Sequence, residues 1–361
     1  MRFIGGKTLI MPYILELIKE KTIDVKSISD VFAGSGVVSR ELKSLGYDVI
    51  SNDLMYFSYV LLRGTVGINS KLEFKNLGIS EPIAYLNNLN LDNSNIDLKN
   101  CFIYENYSPE GGRMYFTEEN ALKIDLVRTQ IENWYNSSSI NEDEYFYLLA
   151  CLIEAVPFIS NITGVYGAYL KHWDKRALSN LELKSVDLSI NNSVGQAYNE
   201  DSNKLIENIK TDLAYFDPPY NQRQYLPNYH VLETIAKYDA PRIKGVTGLR
   251  DYSEQKSDYC RKDSVFSAFE DLIKKTNSRY IILSYNTEAL LSHDEIISIL
   301  EKYGKQSTVD YKFIDYKRYK NAHTNKNKNL KEILYFVEKE QLWAKIILNH
   351  HLITLEISID Y

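Results

Sequence analysis

The chain has 361 residues, 44% hydrophobic and 25% charged, with a formal net charge of −6. This is enough apolar material for one large domain and a second lobe, and it excludes a partner held by overall basicity, because affinity for phosphate backbones comes largely from Lys and Arg. Cys101, Cys151 and Cys260 lie far apart without metal-ligand spacing, so the expectation is packed thiols in a reducing cytoplasm, with no disulfide framework and no metal site.

The opening "MRFIGGKTLI" turns polar at "ELIKEKT" and predicts neither a signal peptide nor a membrane anchor. Residues 8–20 have apolar positions at helical spacing. Next, "ISDVFAGSGVVSRELKSLGYDVISNDL" predicts a strand over 28–32, a glycine turn at Gly34 and Gly36, a helix over 37–45 and a second strand over 48–51 that ends at Asp53. This is a βαβ unit, which implies an α/β fold with parallel strands. The Asn-rich stretch from 65 to about 100 reads as insertion or loop. Firmer helices are expected over 118–135 and after "NEDE", where Asn141 caps and Glu144 reaches back. "NITGVYGAYLKHW" reads as a loop punctuated by Gly and Tyr.

The apolar pattern resumes with "LIENIKTDLAYF", a helix feeding a strand. "YHVLETIAKY" and "DSVFSAFEDLIKK" are expected to be helices, the second capped by Asp263, and "RYIILSY" a strand. "SHDEIISILEKY" is expected to be a helix with a Ser292/Glu295 capping box. "STVDYKFIDY" and "LKEILYFVEK" should pair as an antiparallel hairpin at the sheet edge. Between them residues 312–331 hold seven Lys or Arg against one acid, Asp315. Such a run is ordinarily a solvated loop.

Two constellations carry chemistry. Gly34 and Gly36 follow a strand as G-x-G, but Ser39 stands where a dinucleotide fingerprint has its third glycine. Two glycines alone are as readily a plain turn. Asp53, at the end of the next strand, shifts the reading toward a nucleoside cofactor whose ribose hydroxyls it accepts. S-adenosylmethionine, with no phosphate to cradle, fits this turn better than NAD.

The second constellation is "DPPY" at the exit of an apolar strand. Pro218 and Pro219 each have φ near −65° and no N–H, so they stiffen the exit and end the ladder. The Asp217 carboxylate and the Pro218 carbonyl then accept hydrogen bonds at the carboxyl end of the sheet, where open α/β folds bind ligands. An aromatic amine fits such acceptors: its delocalised nitrogen becomes a nucleophile when its protons are held as charge develops. Tyr220 offers a ring on which a base stacks. Alone, Asp-Pro-Pro is usually a turn; after a cofactor unit in the same chain it reads as a site.

"FIGGK", "DVFAGSG", "YNEDSNKLI" and "DPPY", in that order, resemble the DNA adenine-N6 methyltransferases of the alpha motif order, the group that includes the Dam-type enzymes. The resemblance covers roughly residues 1–60 and 195–340. It implies a Rossmann-like S-adenosylmethionine-dependent methyltransferase sheet over 1–64 and 189–340, with the antiparallel edge hairpin. It also implies an inserted, mostly helical target-recognition lobe over 65–188; the tail 341–361 is unassigned. Phe3 and Lys7 would line the cofactor pocket, with Lys7 near the cofactor carboxylate; Phe3 stands where relatives often have Trp. Phe32, Gly34 and Gly36 would shape the pocket, Asp53 would hold the ribose and Asp201 would approach the cofactor adenine, although an acid there also suits a helix cap. Asp217, Pro218, Pro219 and Tyr220 would form the catalytic quartet, Asp217 also bordering the cofactor.

The implied reaction is methyl transfer to the N6 amine of an adenine flipped out of duplex DNA, in a bacterial cytoplasm. The block from "DPPY" to "IAKYD" also resembles restriction–modification enzymes, which brings a cognate endonuclease into consideration as partner. Lys171, Arg223, Arg242, Arg250, Lys317 and Arg318 are the expected nucleic-acid contacts. Three alternatives stand beside this reading: an N4-cytosine enzyme, which more often has Ser in place of Asp217; an RNA adenine methyltransferase; and a non-catalytic DNA-binding subunit.

Overall fold

The computed structural model describes residues 6–90, 100–305, 307–315 and 331–339. In chain order the first elements are α1 (Met11–Lys21), β1 (Ser27–Asp30), α2 (Val37–Ser44), β2 (Asp48–Asn52) and α3 (Tyr56–Arg63). The helices α4 (Pro82–Asn87), α5 (Phe102–Tyr107), α6 (Glu118–Asn136) and α7 (Glu142–Ala155) follow. The chain then returns through β3 (Gly195–Tyr198), α8 (Ser202–Asn208), β4 (Thr211–Phe216), α9 (Leu226–Lys237) and a small hairpin, β5 (Ile243–Lys244) with β6 (Leu249–Arg250). It closes with α10 (Val265–Lys275), β7 (Ser278–Asn286), α11 (His293–Tyr303), β8 (Asp310–Asp315) and β9 (Lys331–Glu338).

The main sheet has seven strands in the order β3-β2-β1-β4-β7-β9-β8. The strands from β3 to β7 run parallel, β9 is antiparallel to β7, and β8 is antiparallel to β9 as the outermost strand. The edge hairpin expected from sequence is therefore present, and the sheet is that of a Rossmann-like methyltransferase. Chain direction across the sheet reverses between β1 and β4. That switch point opens a crevice beyond their carboxyl ends.

Period-2 alternation divides the side chains between two cores. Leu213 and Tyr215 of β4, with Tyr280 and Ile282 of β7, pack against α1 and α2. Ala214 and Phe216, with Ile281 and Leu283, pack against α8, α10 and α11. Strands covered on both faces read as continuous apolar runs, as "LAYF" and "YIILSY" do; each such Leu or Phe contributes about 1.5–3 kcal/mol by its burial. At the other end of the switch point, Asp212 accepts the amides of Lys26 and Ser27, both at 2.9 Å. This bond sets β1 and β4 level, so their exits meet at one crevice.

Helices α4 to α7 form a third body of packing, and it is shared: one apolar cluster contains Phe57 and Leu61 of α3, Ile124 of α6, Leu149 of α7 and Val231 of α9. The capping box of α7 is formed, with Glu144 N to Asn141 Oδ1 at 2.9 Å and Asn141 N to Glu144 Oε2 at 3.0 Å. The box of α11, Ser292 with Glu295, is formed too. The cap expected of Asp263 is not: Ser264 occupies the N-cap of α10, and Asp263 pairs with the Arg261 fork at 2.8 Å. Strand β3 and helix α3 were not expected. The four residues of β3 show no apolar alternation and gain their conformation by pairing with β2.

Candidate active site

Three loops converge on the crevice. After β1 the chain turns through Gly34 (φ 55°) and Gly36 (φ 75°), both in the left-handed region that side chains disfavour. A Cβ on Gly36 would also stand 2.9 Å from Leu62 Cδ2. After β2 comes Asp53, whose Oδ2 accepts the Gly34 amide at 2.8 Å and whose Oδ1 accepts the Met55 amide at 2.8 Å. Each oxygen keeps a second lone pair for a ligand. After β4 comes Asp217. The three loops enclose a cavity of about 340 Å³ whose wall includes Lys7, Phe32, Gly34, Asp53, Asp201, Asp217 and Pro219.

Helix α3 holds the Asp53 loop from behind. Its first amides, Tyr56 N and Phe57 N, donate to the buried Glu233 carboxylate of α9 at 3.1 and 2.9 Å. An acid at a helix start satisfies amides that have no partner inside the helix.

The cavity is acidic. Asp30, Asp53, Asp201, Asp217, Asp258 and Asp271 line it, against one cation among the described lining residues, Lys7. Burial pushes the Asp30 carboxyl up to about 7, opposed by the Ser39 hydroxyl, which donates to Oδ2 at 2.7 Å. Burial likewise takes Asp53 up to about 6. Asp217 is raised to about 7, by burial first, with Lys7 opposing and Glu332 reinforcing the rise. Lys7 Nζ stands 2.9 Å from Asp217 Oδ1 and 2.7 Å from Glu332 Oε1. The Lys7 ammonium is thus shared between the two carboxylates, both within ion-pair distance. Among the described residues Asp30 Oδ1 is buried without a hydrogen-bond partner, and Asp217 Oδ1 is met by the Lys7 ammonium alone. An acidic cavity with such a bare carboxylate oxygen calls for a ligand that brings donors or positive charge.

The family described as D12 class N6 adenine-specific DNA methyltransferase matches the chain over residues 3–299. The chain belongs to that family. The type II methyltransferase M.FokI of Planomicrobium okeanokoites is 48% identical over 346 residues, covering 94% of this chain and 53% of that protein. The modification methylase StsI of Streptococcus sanguinis is 42% identical, over 99% of this chain and 55% of that protein. The chain thus spans about half the length of these two relatives. The type II methyltransferase M.NlaIII of Neisseria lactamica, 39% identical, matches 94% of this chain and 99% of its own length.

In this D12-class chain the expected residues divide. Lys7, Phe32, Gly34, Asp53, Asp201, Asp217 and Pro219 meet at the cavity, while Gly36 shapes the turn from behind. Asp201 also caps α8, accepting the amides of Asn203 and Lys204. Pro218 is buried and, with Tyr220, adjoins the wall without lining it; the Tyr220 ring lies edge-on to Tyr285, centroids 6.4 Å apart. Lys171, Arg223 and Arg242 are exposed. Arg250 is corrected as a surface contact: it is buried and forks onto Asp239 at 3.0 and 2.7 Å, so it has no open face for a phosphate. Phe3, Lys317 and Arg318 lie outside the described residues.

Sequence reasoning missed Asp30, Asn203, Tyr225, Gln255, Tyr259 and Asp271, which also line the cavity. Asp30 could have been found, because it ends β1 four positions before Gly34, at the strand end that opens on the crevice. Asn203 reaches it from α8, Tyr225 from the start of α9, Gln255 and Tyr259 from the loop before α10, and Asp271 from α10 itself. Tyr259 donates to Asn203 Oδ1 at 2.6 Å, and Asn203 to Asp271 Oδ2 at 2.9 Å.

Proposed function

We propose that this chain is the modification methyltransferase of a restriction–modification pair, acting in a bacterial cytoplasm on the N6 amine of an adenine flipped out of duplex DNA, with S-adenosylmethionine as donor. The observation that carries the reading is the shared cavity: the Asp217 carboxylate borders the same space as the Gly34 turn and Asp53.

The residues fit that donor. Asp53 would accept from ribose hydroxyls, and Phe32, Asp201 and the Asn203–Tyr259 pair would border the adenine. Asp30, with its free Oδ1, would face the amino-acid ammonium. When bound, S-adenosylmethionine supplies an electrophilic methyl on a sulfonium. Asp217 and the Pro218 carbonyl would accept the two hydrogens of the target amine, so that the nitrogen turns tetrahedral with its positive charge stabilised where it forms. Pro219 keeps those acceptors stiff, and Tyr220 flanks the base. Residues 1–64 and 189–340 would act as the catalytic part and 65–188 as the target-reading part, with Lys171, Arg223 and Arg242 toward the phosphates.

The test supplies methyl-labelled S-adenosylmethionine with duplex DNA or RNA, then digests the product to nucleosides. Label in N6-methyladenine from DNA is the expected result, abolished in Asp217→Ala. N4-methylcytosine, or transfer to RNA alone, would replace this reading.

A further inference from the structure

Glu332 is the second residue of β9, paired in register with Asn286 of β7. Its Oε1 is shared by two donors, Lys7 Nζ at 2.7 Å and Ser284 Oγ at 2.6 Å. Lys7 and Glu332 are each only 6% exposed. Glu332 is not part of the cavity wall, so it reaches the site through its bond to Lys7 and through its charge on Asp217. Lys7 in turn pairs with Asp217 Oδ1 at 2.9 Å.

A buried lysine beside one carboxylate would close a neutral pair on it, and the carboxylate would lose its power to accept from anything else. Here Lys7 is shared between two carboxyl groups, at 2.9 Å from Asp217 and 2.7 Å from Glu332. We infer that Glu332 is a positioning residue for methyl transfer: by taking a share of the Lys7 ammonium it keeps Lys7 from pairing with Asp217 alone and so preserves the power of Asp217 to accept from the target amine. This rests on the functional reading above.

Among the described residues five groups act on Asp217 or feel its charge: Lys7 from the N-terminal loop, Glu332 from β9, Asp30 from β1, Tyr215 from β4 and Tyr225 from the segment after the quartet. Glu332 raises the Asp217 pKa and Lys7 lowers it. Removing the negative charge of Glu332 therefore leaves Asp217 ionised to lower pH, yet more tightly held by Lys7.

The experiment is the pH–rate profile of methyl transfer at saturating cofactor for the wild-type, E332Q and E332D chains, with thermal melting and cofactor binding measured alongside. The E332Q profile should have its acid limb displaced to lower pH by about one unit, with the plateau rate reduced on the order of tenfold. E332D, whose carboxylate is withdrawn by one methylene, should lie between. A reduced plateau with the acid limb unmoved would mean that Glu332 only holds the fold, and would overturn the inference. Should E332Q melt below the assay temperature, E332D carries the same test: a smaller displacement in the same direction supports the inference and an unmoved limb ends it. A wild-type chain that transfers no methyl group would overturn the functional reading and this inference with it. An active wild type with coincident limbs overturns this inference alone.

Discussion

Asp53, just past the end of β2, accepts the amide of Gly34 in the turn after the neighbouring β1 at 2.8 Å, which makes the two loops one mechanical unit. Replacing it by alanine frees two amides, those of Gly34 and Met55. Asp53→Ala should weaken cofactor binding by roughly ten- to a hundredfold, the worth of charge-assisted hydrogen bonds of about 1.5–3 kcal/mol. The rate at saturating cofactor should change much less. Isothermal calorimetry with S-adenosylmethionine checks the first statement; unaltered affinity would remove Asp53 from the cofactor site.

Asp217 must be ionised to accept from an amine, and its carboxyl is raised to about 7 by burial. The rate of methyl transfer should therefore fall as pH drops through about 7, approaching tenfold per unit below it. An acid limb near the ordinary carboxylate value would mean that Asp217 is solvated in the working enzyme.

Asp30 offers a stability measurement on the cofactor-free chain. Its pKa is raised from 3.8 to about 7 on folding, so between those values the native state binds the extra proton and stability is lost as pH rises. Asp30→Asn keeps an acceptor for Ser39 and removes the buried charge. The variant should be more stable than wild type at pH 8, on the order of 4 kcal/mol, and equal to it below about pH 4. Urea denaturation at the two pH values decides; equal stabilities at pH 8 would refute the buried, desolvated carboxyl.

Glu233 caps α3 through the Tyr56 and Phe57 amides and also accepts from Gln255 at 2.7 Å. Glu233→Ala should cost about 2–3 kcal/mol of folding free energy, the loss of a charged acceptor under buried donors. A chemical-denaturation midpoint shifted down shows it. Because Gln255 and the Asp53 loop are both in the cavity wall, cofactor affinity should fall with it.

What was legible in the sequence was local. The capping boxes of α7 and α11 join residues three apart, and "DPPY" and the glycine turn are contiguous, so pattern alone located them. Strand β3 was missed because four residues without alternation are a strand only when β2 lies beside them. Arg250 was misjudged because a hairpin and a turn bring Asp239 under its fork, a fold-back that no spacing rule announces. Glu332 was out of reach for the same reason at greater range: its lysine partner is 325 residues away in the chain. The core of the candidate site could be named from motifs, whereas the residues that tune it belong to strands that meet only in the folded sheet.

The apolar cluster that runs from α3 through α6 and α7 to α9 has a consequence for the exchange of segments among such chains. Helices α6 and α7 are not a detachable cassette, since they share one interior with Phe57 of α3 and Val231 of α9. A pair of helices grafted from a relative would have to bring faces that match both, or travel together with α3 and α9.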